Sequence, residues 1–159
     1  MSLKADFTAE LASTPTFSGG CVTLRAAEAN RRLTCELVAL DTMACAFDWL
    51  ALHDDKLAGL GLDRLKQVAD ALSRRLTYLL EPITPIEVDP QQCTVQLRSN
   101  PPQTGDDATC YYELLVKRTG EVSLCRYRAR PGALRERVPA HVTREVLLRL
   151  ADDLLAATP

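Results

Sequence analysis

Cys110-Tyr-Tyr-Glu-Leu-Leu-Val-Lys-Arg-Thr-Gly-Glu-Val-Ser-Leu-Cys-Arg-Tyr-Arg128 reads as two strands joined by a tight turn at Thr119-Gly120. A glycine inside a short loop between two alternating apolar runs is a hairpin signal. Pairing across that turn sets Arg118 opposite Glu121, Leu115 opposite Leu124, Glu113 opposite Arg126 and Tyr112 opposite Tyr127. Side chains alternate along a strand. One face of the hairpin then carries Tyr112, Leu114, Val116, Cys125, Tyr127 and Ala129, and reads as core. The other carries Tyr111, Glu113, Leu115, Lys117, Val122, Leu124, Arg126 and Arg128. It is a mixed face, with a Glu113–Arg126 cross-strand pair of about 0.2–1 kcal/mol.

A weaker copy of the same order of elements precedes the hairpin. Cys21 to Ala27 alternates as a strand, Leu33 to Leu40 as a second, and Met43 to Leu52 as a third. A helix follows from Leu62 to Leu80, with Leu62, Leu65, Ala69, Leu72, Leu76 and Leu79 in one apolar stripe. Asp63 lies in its first turn, where the helix dipole favours a carboxylate, and Pro82 and Pro85 end it. After it come a short extended piece at Ile86 to Asp89, a strand at Cys93 to Arg98, the hairpin, and a basic loop from Pro131 to Pro139. A last helix runs from about residue 140 to 156, striped by Val142, Val146, Leu147, Leu150, Ala151 and Leu154.

Matched in order, Cys21–Arg25 resembles Cys93–Arg98, Cys35–Leu40 resembles Tyr112–Lys117, and Cys45–Phe47 resembles Cys125–Tyr127. Val68–Leu72 resembles Leu150–Leu154 in the same way. The expected fold is α+β: an antiparallel sheet of six or seven strands with two helices packed on one face, built as a duplicated β-β-β-α unit. Its halves are 21–80 and 93–156 within a single domain, 21–159. Residues 1–20 are polar and mixed, and are expected as a loosely held arm.

At 159 residues the chain is long enough to bury about two-thirds of its unfolded surface without a disulfide or metal staple. A net charge of −2 gives the whole chain no polycationic character. The basic residues gather locally, in Lys117, Arg118, Arg126, Arg128, Arg130, Arg135 and Arg137. The 6 cysteines show no C-x-x-C or other short ligand spacing. They read as reduced, buried small hydrophobes in strands, which suits a cytoplasmic compartment. No stretch resembles a signal peptide or spans a bilayer.

No catalytic constellation stands out. His53 precedes Asp54-Asp55 in a loop and reads as solvated; His141 reads as a surface or capping residue. Asp106-Asp107 has no third ligand in sight, and Cys125 beside Arg126 is the best of weak nucleophile candidates. The expectation is no catalytic residue, no metal and no cofactor, and the balance is against an enzyme.

Three functional readings follow, in descending order. The first is a non-catalytic protein-binding or adaptor module, a homodimer, acting through the sheet face opposite the helices, with Tyr111, Leu115, Leu124 and Arg126 central. The second is nucleic-acid binding through the basic 117–137 segment, where three alternating arginines could contact phosphates. The third is a small-molecule binder or enzyme with a pocket between sheet and helices. No membrane partner is expected.

Overall fold

The computed structural model describes residues 2–159. The order of elements is α1 (Leu3–Ser13), β1 (Phe17–Glu28), β2 (Arg31–Leu40), β3 (Ala44–Asp54), α2 (Leu62–Arg75), β4 (Ile83–Asp89), β5 (Thr94–Ser99), β6 (Gln103–Thr104), β7 (Thr109–Lys117), β8 (Glu121–Ala129), β9 (Glu136–Val138), β10 (Ala140–Thr143) and α3 (Arg144–Ala157). All strand pairs are antiparallel. The main path across the sheet is β1-β2-β3-β8-β7-β5-β4, with β6 on β7, β9 on β8 and β10 on β3. The α+β antiparallel class is as expected. The described residues hold ten strands and three helices, where six or seven and two were expected.

Register shows which face is core. One row of neighbours reads Leu24, Cys35, Leu50, Leu124, Leu114, Leu97 across the sheet. The next reads Ala26, Leu33, Leu52, Val122, Val116, Val95, Val88. These rows pack in a single cluster with Leu3, Phe7 and Leu11 of α1, Leu65, Ala69 and Leu72 of α2, and Leu147, Leu150 and Leu154 of α3. Burying each aliphatic side chain contributes about 1.5–3 kcal/mol. The three helices therefore share one face of the sheet.

Four expectations are corrected. The first 20 residues are not a loose arm: Ser2 caps α1 by accepting from the Ala5 N–H at 3.1 Å, and Leu3, Phe7 and Leu11 are buried. The helix expected to reach Leu80 ends at Arg75. Beyond it, Leu76 and Leu79 turn into the core, while Leu80 takes a left-handed φ of 67°. The last helix starts at Arg144, because residues 140–143 pair with β3 as a strand.

The fourth correction is the register of the β7–β8 hairpin. Tyr111 faces Tyr127, Tyr112 faces Arg126, Glu113 faces Cys125 and Leu115 faces Ser123. The loop holds three residues, Arg118 to Gly120, closed by the Gly120 N–H donating to the Lys117 carbonyl at 3.0 Å. Gly120 sits at φ 99°, which suits a three-residue loop ending in a left-handed residue. Neighbours pin that loop: Arg118 N–H donates to the Cys93 carbonyl, Gly59 N–H to the Arg118 carbonyl, and Asp54 N–H to the Gly120 carbonyl. A one-residue slip moves every side chain of a strand to the other face. So Val122, Leu124, Arg126 and Arg128 lie on the helix side, and Ser123, Cys125 and Tyr127 on the open side.

The middle of the sheet is forked. β3 and β8 pair from His53/Glu121 to Leu50/Leu124 and then part. Into the gap runs the chain 136–143: it enters beside β8, with Glu136 at Arg128 and Val138 at Arg126. It reverses at Pro139 and leaves beside β3, with Ala140 at Phe47 and Thr143 at Ala44.

Candidate functional site

The open face of the sheet has its own rows. One is Arg25, Thr34, Ala51, Ser123, Leu115, Gln96, Glu87, made of small or polar side chains apart from Leu115. Beside it, Tyr111 and Tyr127 stand as a cross-strand pair, ring centroids 6.0 Å apart, with Glu113 and Cys125 next along the same strands. Trp49 of β3 stands half-buried on this face, opposite Glu36.

Over these rings lies a layer of guanidinium groups. Arg98 stacks on Tyr111 at 4.4 Å, Arg135 on Tyr127 at 3.8 Å, and Arg137 on Trp49 at 4.9 Å, each measured to the ring centroid. Stacking of this kind contributes about 0.5–1 kcal/mol where exposed and more where desolvated. Arg135 also forms an ion pair with the buried Glu113 carboxylate and donates to the Tyr111 hydroxyl at 3.3 Å. Burial alone would pull the Arg135 guanidinium down, but the bonds to Tyr111 and Glu113 outweigh it and hold the group up. Burial pushes the Cys125 thiol and the Tyr127 phenol up, against the pull of neighbouring arginines.

The residues expected to act together are separated. Tyr111 and Leu115 stand on the open face, Tyr111 buried under the arginines and Leu115 half-buried. Leu124 is a core residue with no exposed surface. Arg126 points to the helix side, stacked on Tyr112 at 4.5 Å and paired with Glu81 at 3.0 Å. The expected Glu113–Arg126 pair is therefore replaced by Glu113–Arg135 and Glu81–Arg126.

The basic cluster is divided in the same way. Arg128 donates to Glu136 at 2.8 Å, and Arg126 and Arg135 are bound to carboxylates. Arg118 is exposed at the hairpin tip, Lys117 is half-buried beside it, and Arg130 lies exposed in the loop after β8. Sequence reasoning missed Trp49, Arg98 and Glu81. Trp49 had one legible signal: it is the only tryptophan in the chain.

A second candidate lies on the helix side, at the fork. A cleft of about 430 Å³ is lined by Tyr112, Arg126, Pro139, Val142 and Val146, with Leu80 at its lip. Arg126 is held there by Glu81 and by Gln103 at 2.9 Å. Burial pushes the Tyr112 phenol up.

All six cysteines are free thiols: Cys35, Cys45 and Cys125 are buried, Cys93 and Cys110 half-buried, and Cys21 exposed. His53 bonds to Asp55 at 3.1 Å, and His141 is exposed on β10. Among the described residues, no three His, Cys, Asp or Glu side chains gather as a metal site would require, and no helix is long and apolar enough to cross a membrane. Compared with models of protein families, with curated proteins and with solved structures, the chain matches none.

Proposed function

We propose that the protein is a non-catalytic protein-binding or adaptor module that works through the open sheet face. One observation carries this reading: Trp49, Tyr111 and Tyr127 stand on the face that no helix covers, each under an arginine. Tryptophan, tyrosine and arginine are the residues that dominate binding energy at protein interfaces. The contact layer is the guanidinium groups and the ring edges, flanked by Leu115. Leu134, 96% exposed, is an apolar group in the same basic loop.

The nucleic-acid reading ranks second. It asks for free cations and for rings open to stacking, whereas here the rings are covered and Arg126, Arg128 and Arg135 are bound to carboxylates.

Homodimer formation through the same face belongs to this reading, as does a duplicated origin. The order β1-β2-β3-α2 parallels β5-β7-β8-α3, and the two sets meet with β3 antiparallel to β8, as two copies related by a twofold axis would. A reducing, cytoplasmic setting is supported by the six free thiols.

The test is affinity capture from nuclease-treated lysate of the native cells, comparing the full chain with Trp49→Ala/Arg137→Ala. These positions leave the Glu113–Arg135 pair intact. The expected result is a stoichiometric protein bound by the parent and lost by the double variant. Equal capture by both, or no protein captured, refutes the reading.

A further inference from the structure

The two strands of the 136–143 segment, which wedges into the fork, are each paired on one side only, β9 to β8 and β10 to β3. The free side of β10 can be assigned atom by atom. The Arg144 N–H donates to the Met43 carbonyl at 2.9 Å, in register with the β10–β3 ladder. In an antiparallel ladder, residues whose main-chain groups point at the partner strand recur at every second position. Val142 and Ala140 therefore point at β3, and His141 and Thr143 point away from it, into the fork. The Thr143 carbonyl opens α3, whose N-cap is Thr143. The His141 N–H and C=O and the Thr143 N–H are left facing the cleft.

That cleft, about 430 Å³, is of a size that takes a ligand, roughly 300–1,000 Å³. Its apolar wall is Tyr112, Val142 and Val146. Its charges, Arg126 and Glu81, pair at 3.0 Å and leave the wall no net charge, while Arg126 Nη1 and Glu81 Oε1 are buried there with no hydrogen-bond partner. At the lip, Leu80 is 97% exposed with φ 67°. A non-glycine residue in the left-handed region and a bare apolar side chain are both unfavourable, and strain of this kind collects where a ligand is gripped.

We propose that the fork accepts an extended peptide, added to the free edge of β10 as a further strand. One uncharged apolar side chain of the peptide sits between Tyr112, Val142 and Val146, and Leu80 closes on it. Main-chain bonds to His141 and Thr143 supply affinity, and the pocket supplies selectivity, as in other strand-addition sites. This site lies on the helix side of the sheet and is independent of the open-face reading.

The experiment selects a phage-displayed library of random linear peptides on the full-length protein, then titrates the best peptide, synthesised, against variants. His141→Pro removes the outward N–H and leaves the main-chain bonds of Ala140 and Val142 to β3 in place. Val146→Gln puts a longer polar side chain into the pocket. Each is expected to weaken binding by about tenfold or more, the scale of one lost main-chain hydrogen bond or apolar contact with its desolvation penalty. Hydrogen exchange at the His141 and Thr143 amides is expected to slow in the parent protein when the peptide is added. Should His141→Pro not fold, Val146→Gln and the exchange measurement decide. Selection of no peptide, or of one that leaves both amides and Val146→Gln unaffected, overturns the proposal.

Discussion

Cys45 lies on the core side of β3, and burial pushes its thiol up to about 11, with Arg144 pulling weakly the other way. In the unfolded chain the same thiol ionises near 9.0. The folded state therefore holds the proton over a range in which the unfolded state has lost it. This contribution to stability is complete below 9.0 and is lost as pH rises through about 11. The fully buried Cys35 is pushed up in the same direction, chiefly by burial. The thermal midpoint is expected to fall across this alkaline window, and Cys45→Ala to flatten part of the fall; a slope identical to the parent's would remove the thiol from the account. At neutral pH a thiol reagent is expected to label exposed Cys21 first and the buried Cys35 and Cys45 only on unfolding. Buried thiols in strands were legible from the pattern of Cys35 and Cys45 within alternating apolar runs. That Cys21 is exposed was not, because it lies within the Ser18–Val22 irregularity where β1 loses register with β2.

Among the elements, α1 is the one whose role composition concealed. Its apolar residues, Leu3, Phe7 and Leu11, recur every four positions and all three are buried, but eleven mixed residues gave that spacing little weight. Lys4 bonds to Asp152 at 2.9 Å, and the Glu28 carboxylate accepts from the Leu3 N–H at 3.1 Å. Phe7 has no exposed surface, so Phe7→Ala is expected to cost about 3–5 kcal/mol, read as a shift in the denaturant midpoint. A change below about 1 kcal/mol would mean that α1 is held too weakly to matter to the fold. The hairpin failed in the opposite way: its existence was legible and its register was not. Apolar residues stand at both parities in β8, Val122 and Leu124 on one and Cys125 and Tyr127 on the other. Local pattern could not choose between them. The choice is made by the loops around Cys93, Gly59 and Asp54, which bind the turn from far along the chain.

At the scale of the molecule, the α+β class and the antiparallel sheet followed from periodicity together with the repeated order of elements. The open face did not, because its covering arginines come from positions 98, 135 and 137 and meet Trp49 only through the fold. The whole surface is acidic on balance, with a net charge of −2, and Arg126, Arg128 and Arg135 of the basic segment are paired with carboxylates. The intact protein is expected to pass a polyanion column at about 0.15 M salt, where exposed charges farther apart than about 8 Å are largely screened. Firm retention that falls steeply with added salt would instead favour the nucleic-acid reading. The wedge at 136–143 has a consequence for synthesis. On a ribosome, β3, which ends at Asp54, emerges well before the segment that lines the gap, and β8, which ends at Ala129, emerges just before it. Until residue 143 has left the exit tunnel, the centre of the sheet presents two bare strand margins to its surroundings, and such margins recruit other chains. A nascent or prematurely terminated copy is therefore most adhesive at its middle, and the emergence of residues 136–143 covers both margins.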